Sequence, residues 1–265
     1  MRFFHKQIFV KWMMLIGGAL LLAGFLLFLT IHTAPANRNE TEDIKSSETE
    51  SDGTEILDEI PEISEETFMQ QNFYYTELSD ELKKQITGIS YPQAVDEPAI
   101  AYEELRYVHV LHYDFMNMVQ EGELICNQAI ADDLVEIFAE LYLAEYPIEK
   151  VKLIDAYGGD DEASMEDNNT SCFNYRVVSG TSNLSKHAYG LAIDINPLYN
   201  PYISGNGQNI QPSNAGAYTD RDAAFEHKID HSDLCYQLFT EHGFTWGGDW
   251  TNTKDYQHFE KINIP

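Results

Sequence analysis

The chain's 265 residues carry 44 Asp and Glu against 16 Lys and Arg, a formal net charge of −28. So acidic a balance excludes a basic groove for nucleic acid and argues against electrostatic attachment to anionic polymers or lipid surfaces. The length accommodates one well-packed domain of about 200 residues with appended segments.

Residues 1–11 read as a basic tail, with Arg2, Lys6 and Lys11 and no acid. Trp12–Ile31 is a predominantly apolar run of 20 residues. At about 1.5 Å per residue it spans about 30 Å as a helix, the thickness of a bilayer core. The basic flank predicts a single-pass membrane anchor with its N-terminus cytoplasmic and the remainder of the chain extracellular. The competing reading is a signal peptide cleaved at Ala34-Pro35-Ala36; against it, the run exceeds the usual apolar stretch of about 7–15 residues. Residues 32–66 read as an acidic, disordered linker. Positions 38–66 hold twelve acids and two bases, so they cannot bury enough to order themselves, and self-repulsion extends them. Residues 67–265 form the remaining domain. It has 32 acids and 11 bases, which again rules out a nucleic-acid partner.

Within that domain Phe73–Ile86 is weakly amphipathic and predicts a helix. Tyr91-Pro92 marks a turn. Tyr102–Met118 has Leu105, Val108, Leu111 and Phe115 at helical spacing. Gly122–Asn127 reads as a strand, and Asn127 can cap a following helix with Ile130, Leu134, Ile137 and Leu141 on one face, ending before Pro147. Val151–Ala156 reads as a strand and Gly158–Asp161 as a loop. After a strand at Leu191–Ile195, positions 196–218 form a long Gly/Pro/Asn-rich loop. Ser232 caps a helix to His242, which Gly243 ends; Phe244–Trp246 and Gln257–Ile262 read as strands. The fold class is therefore α+β, a small antiparallel sheet with flanking helices.

Two stretches carry chemistry. In Ser185-Lys186-His187-Ala188-Tyr189-Gly190-Leu191-Ala192-Ile193-Asp194, the acid ends a buried strand, where it is costly unless paired or bound to a cation. Gly190 allows a turn that folds His187 back over the Asp194 end. In Asp255-Tyr256-Gln257-His258, His258 supplies a third ligand. Two imidazoles and one carboxylate, with a fourth position open, make a catalytic zinc pattern. One Zn2+ held by His187, Asp194 and His258 would sit on the sheet face, with ligands from two strands and one loop. Asp255, three residues before His258, can take the proton of the attacking water.

These motifs, with Asn174-Tyr175-Arg176, Asp194-Ile195-Asn196-Pro197 and Trp246-Gly247-Gly248-Asp249-Trp250, resemble the zinc D-Ala-D-Ala carboxypeptidase and L-Ala-D-Glu endopeptidase family of cell-wall metallopeptidases. That family shares its fold with lysostaphin-type peptidases and the hedgehog signalling domain. The resemblance covers roughly residues 70–265. It implies a zinc peptidase acting on peptidoglycan stem peptides, with Arg176 stabilising the oxyanion of the tetrahedral intermediate. Many members have Glu where this chain has Asp255, whose shorter arm resembles the endopeptidase branch. Ser185 is expected to orient substrate or a partner of the metal ligands. Trp246 is a candidate substrate contact beside two glycines that permit close approach, with a plain core role as the other reading. A catalytically silent wall-binding or signalling module on the same fold is the alternative; the intact set His187, Asp194, His258 and Asp255 argues against it.

The remaining candidates read as structural. His109 and His112 have no third ligand nearby, and His227, His231 and His242 lie in polar sequence. Asp160, Asp161 and Glu162 lack calcium-loop spacing and read as a solvated acidic loop. Cys126, Cys172 and Cys235 are odd in number and lack metal-binding spacing; Cys126 and Cys235 read as small buried hydrophobes.

Overall fold

The computed structural model describes residues 63–93, 98–178 and 180–263, all inside one unit spanning Ile60–Pro265. The basic tail, the apolar run 12–31 and nearly all of the acidic linker lie outside the described residues. Among the described residues no helix is long and apolar enough to cross a membrane.

Helix α1 (Glu65–Asn72) begins two residues before the expected domain start, because Ser64 caps it: its Oγ accepts from the Thr67 N–H at 3.2 Å. Glu65 and Glu66 then lie at the positive end of the helix dipole. The single helix expected over Phe73–Ile86 is instead a strand, β1 (Tyr74–Glu77), followed by helix α2 (Asp80–Ile86). Ser79 caps α2 through the Leu82 N–H at 3.1 Å, so the chain restarts there rather than continuing.

The largest correction concerns Tyr102–Met118. Its helical spacing is a coincidence of double-sided burial. Tyr102–Glu104 is a short 3-10 turn, and β2 (Leu105–Tyr113) pairs antiparallel with β3 (Val119–Asn127) and with β1, in the order β1-β2-β3. Val108 and Val110 enter one apolar cluster with Leu124 and Cys126, while Leu105 enters another with Ile125, Ile86 and Phe173. Apolar residues on both faces break the two-residue alternation that marks a half-buried strand. The β-branched and aromatic Tyr107, Val108, Val110 and Tyr113 suit a pleated surface. The hairpin turns at Asp114, whose Oδ1 accepts from the N–H groups of Met116 and Met118, both at 2.9 Å.

Asn127 acts as expected: its side chain accepts from the Ala129 N–H at 3.0 Å, starting a 3-10 turn that leads into α3 (Ala131–Leu143). Ile130, Leu134, Ile137 and Leu141 are buried, and α3 packs on β2. The expected strand from Val151 shrinks to β4 (Lys150–Val151), parallel to β5 (Asn169–Thr170); Ile154–Tyr157 is a 3-10 turn. Asp160 caps α4 (Asp161–Glu166), so the acidic segment is partly helical.

The C-terminal half holds two further three-stranded antiparallel sheets. One has the order β6 (Ala192–Asp194), β11 (His258–Glu260), β9 (Thr245–Trp246). The other has the order β10 (Lys254–Asp255), β7 (Tyr202–Ser204), β8 (Asn209–Gln211). The expected 196–218 loop therefore contains the β7–β8 hairpin. Asp233, not Ser232, caps α5 (Leu234–Glu241), accepting from the Cys235 N–H at 2.9 Å. The Ser232 hydroxyl is already engaged, donating to Asp230 Oδ1 at 2.6 Å. Phe239 of α5 stacks on Phe259 of β11, ring centroids 4.5 Å apart. The three cysteines are buried and free. Helices and small antiparallel sheets together give the expected α+β class.

Candidate metal centre

Asp194 ends β6 and His258 begins β11, and the antiparallel register makes them direct cross-strand partners. Such partners bring their Cβ atoms to about 4.5–5.5 Å. His187 arrives from a 3-10 turn, Lys186–Tyr189, whose start is capped by Ser185: its Oγ accepts from the His187 N–H at 3.3 Å. Gly190 closes the turn in the left-handed region, φ 62°, and a Cβ there would lie 2.6 Å from the Asn127 nitrogen. Both facts require glycine. All three ligand candidates are buried, and one ligand atom from each lies within 4.8 Å of the others. His187 Nε2 is 3.3 Å from Asp194 Oδ2 and 3.2 Å from His258 Nδ1, and His258 Nδ1 is 3.1 Å from Asp194 Oδ1.

The outward ring nitrogens are held as well. His187 Nδ1 donates to the Cys172 carbonyl at 2.6 Å, which leaves Nε2 free to face Asp194. His258 Nε2 lies 3.5 Å from Glu260 Oε2. Metal-binding imidazoles are commonly oriented in this way, with an acceptor on the far nitrogen. Burial opposes charge on Asp194, yet His187 and then His258 hold its carboxyl well below the usual carboxylate range. Burial likewise opposes charge on His258, but the hydrogen bonds to Asp194 and then Glu260 hold its imidazole up to about 10. Two nitrogens and a carboxylate oxygen converging in a buried space fit zinc, which takes such three-residue sets in catalytic sites.

Asp255 stands on β10, opposite Tyr202 of β7. Its Oδ1 is buried and has no hydrogen-bond partner among the described residues. Burial pushes its carboxyl up to about 7, against the pull of His258. Gly247 makes room for it: a Cβ there would lie 2.6 Å from the Asp255 carbonyl oxygen, 2.8 Å from its Cβ and 3.3 Å from the His258 Cβ.

The other expected residues divide. Ser185 supports the His187 turn from its cap position. Arg176 lies on a segment beside that turn, its carbonyl accepting from the Ser185 N–H at 3.0 Å and the Asn174 N–H donating to the His187 carbonyl at 3.2 Å. Its guanidinium is ion-paired with Asp161. Trp246 is buried in the main core, with Nε1 donating to the Tyr256 carbonyl at 2.9 Å. The tryptophan beside the ligands is Trp250, whose ring centroid is 5.3 Å from that of His258.

Sequence reasoning passed over Glu260 and the Cys172 carbonyl. Glu260 was readable as the same-face neighbour of His258 two residues along a strand; a carbonyl's partner has no signature in residue identity. The remaining histidines among the described residues are engaged elsewhere. His112 Nδ1 meets the Ile148 carbonyl at 2.7 Å, and His109 Nδ1 meets the Asn72 carbonyl at 2.9 Å. His231 pairs with Asp249 at 2.7 Å and His242 with Asp133 at 3.2 Å. The His227 ring stacks on Phe115, centroids 3.5 Å apart.

Residues 179–261 match the family model described as D-alanyl-D-alanine carboxypeptidase. The match supports the resemblance drawn from the motifs, and its span takes in His187, Asp194, Asp255 and His258 while stopping short of Arg176. No curated protein and no solved structure matches the chain.

Proposed function

We propose that this chain is a zinc metallopeptidase that hydrolyses peptidoglycan stem peptides, held at the outer face of the cell membrane by residues 12–31. The observation that carries the reading is the buried convergence of His187, Asp194 and His258 beside a carboxylate with an unpartnered oxygen, Asp255. The family match over the same residues supports a D-Ala-D-Ala carboxypeptidase-like activity.

His187, Asp194 and His258 would hold the metal, and bound zinc supplies Lewis-acid polarisation of water and scissile carbonyl. Asp255 takes the proton from the attacking water and delivers it to the leaving amine. Its buried and unpartnered Oδ1 suits a group that takes and returns a proton. Arg176 stabilises the oxyanion, sharing its guanidinium between the substrate and Asp161. Cys172 and Glu260 keep the two imidazoles turned inward. Trp250, half-buried against His258, forms a wall for the substrate beside the reacting bond. The bond cut is either L-Ala–D-Glu or D-Ala–D-Ala; the resemblance of Asp255 to the endopeptidase branch leans to the first.

The test is digestion of purified peptidoglycan with the full-length protein, followed by mass spectrometry of released peptides. Fragments ending at L-Ala, with a new D-Glu amino terminus, identify the endopeptidase. Loss of a terminal D-Ala identifies the carboxypeptidase. Unchanged peptidoglycan in the presence of stoichiometric zinc contradicts the reading.

A further inference from the structure

Between β6 and α5 the chain makes a long excursion with little regular sheet, and one side chain gathers it. Arg221 Nη1 donates to the Tyr199 carbonyl at 2.8 Å and the Tyr218 carbonyl at 3.4 Å; Nη2 donates to the Ile229 carbonyl at 2.9 Å and to Asn200 Oδ1 at 3.1 Å. Asn200 is fully buried and extends the network. Its Nδ2 donates to the carbonyls of Asn196 at 3.1 Å and His227 at 3.0 Å, and its Oδ1 also accepts from the Ile229 N–H at 2.8 Å. Asn196 stands two residues beyond Asp194, so this network reaches the chain leaving the first ligand strand.

The guanidinium also lies over the Tyr256 ring, its Cζ 4.2 Å from the centroid. Tyr256 follows Asp255 directly and precedes His258 by two residues. Its backbone is tied on both sides: the N–H donates to the Pro201 carbonyl at 3.4 Å, and the carbonyl accepts from Trp246 Nε1 at 2.9 Å. Asp255, by contrast, has an Oδ1 without a partner. Gln257 is the side chain that hydrogen-bonds its carboxylate, and Gln257 follows Tyr256, so where that carboxylate stands depends on the backbone around Tyr256. Burial lowers the Arg221 guanidinium to about 10, and its hydrogen bonds go to uncharged oxygens. A planar fork that hydrogen-bonds at its edge while its face lies on a ring does this work; a lysine ammonium, a compact charge with three donors and no planar face, cannot do both at once.

We propose that Arg221 is a positioning residue: it clamps the chain leaving the Asp194 strand to the segment carrying Asp255, and thereby fixes the Asp255 carboxylate relative to the ligand trio. This rests on the peptidase reading, in which Asp255 moves the proton. The test compares Arg221→Lys, Tyr256→Leu and Tyr256→Phe in the detergent-solubilised full-length protein. It measures bound zinc, KM and kcat on a stem peptide, and hydrogen–deuterium exchange across 252–258. Arg221→Lys and Tyr256→Leu are expected to lose about 10- to 100-fold in kcat, the scale of a sub-ångström to 1 Å misplacement, with zinc and KM unchanged and exchange across 252–258 accelerated. Tyr256→Phe keeps the ring and is expected to restore parental values. Parental kcat in Arg221→Lys, or equal damage in the Phe and Leu variants, overturns the proposal; if Arg221→Lys does not fold, the Tyr256 pair decides. If the parent protein leaves stem peptides intact, the peptidase reading has failed, and exchange still judges the clamp. Acceleration in Arg221→Lys and Tyr256→Leu but not Tyr256→Phe upholds it, and unchanged exchange refutes it.

Discussion

The two halves of the described chain are held together by different means. The β1-β2-β3 sheet and α3 rest on long elements: β2 and β3 run nine residues each, and α3 presents a continuous apolar face. The half with the metal ligands is built from strands of two or three residues. Strands so short bring little cooperative pairing of their own. That half is fixed instead by individual side chains: Ser185 under the His187 turn, Asn196 and Asn200 behind β6, Arg221 over Tyr256, and Lys261, whose Nζ donates to Asp133 Oδ2 at 2.6 Å and the His242 carbonyl at 2.7 Å. Both halves feed one apolar core, Leu134 and Phe138 from the first, Phe239, Trp246 and Phe259 from the second; the second adds the polar contacts that set where its ligands stand. Core substitutions in the first should lower stability while leaving the chemistry, and loss of those polar contacts should cost rate before stability.

The sharpest break should come in the ligand set. His187→Ala and His258→Ala are each expected to abolish hydrolysis and to lower bound zinc, read by elemental analysis. Full metal content in the double variant would remove the site assignment. Asp255→Asn is expected to keep zinc and fold while losing about 10²- to 10⁴-fold in kcat, the range for a lost general base. Asp255→Glu should recover part of that loss. A parental rate in the Asn variant with zinc in place would mean that another group moves the proton.

One substitution in each half tests the division directly. Gly247→Ala puts a methyl where Asp255 and His258 already stand, and a displacement of about 1 Å should cost about 10²-fold in rate beside the roughly 1–3 kcal/mol of stability that overpacking costs. Leu134→Ala, at a fully buried position on α3, should lower stability by about 2–5 kcal/mol while kcat per folded molecule stays parental. Denaturant unfolding and active-site-normalised kinetics on both proteins check the pair; a Leu134→Ala enzyme impaired in kcat would mean that the halves are not separable.

The smallest effect is a pH slope. Burial pushes the Asp233 carboxyl up to about 6, against the Tyr146 hydroxyl and the backbone N–H groups at the start of α5. A folded value above the unfolded one means that the protonated form favours folding. Its contribution is full below the ordinary carboxylate value and is lost as pH rises through about 6. Asp233→Asn should remove that slope, so the two stability curves coincide below the ordinary carboxylate value and draw apart as pH rises to about 6, with the Asn variant the more stable from there on. Thermal melts across that range measure the difference, and parallel curves would contradict it.

What could be read in the sequence follows the same division. The convergence of His187, Asp194 and His258 was legible because metal chemistry demands particular donor types, and Gly190 because the turn before the Asp194 strand needs one. The Asn127 cap and the apolar stripe of α3 were legible because one periodicity applied throughout. The β2 strand was misread because burial on both faces erases alternation, leaving Leu105, Val108 and Leu111 at a spacing that a helix also produces. The cap of α5 was missed by one residue because Asp230 competes for Ser232. Trp250 could not be ranked above Trp246 because two tryptophans four apart look alike until one is seen in the core. Arg221 gave no signal at all: its partners are mostly backbone carbonyls far apart in sequence, and carbonyls are the same at every position.

The register between β6 and β11 makes the ligand pair a proofreader of assembly. His258 faces Asp194 in one alignment only. Because side chains alternate along a strand, a slip of one residue would set Phe259 opposite Asp194 and turn His258 toward the side now filled by apolar groups. Such a slip would also take Phe259 off the face where it stacks on Phe239 in the core, so burial and ion binding favour the same alignment. Metal added during refolding would therefore add its affinity to the preference that burial already gives, drawing the population further toward that register.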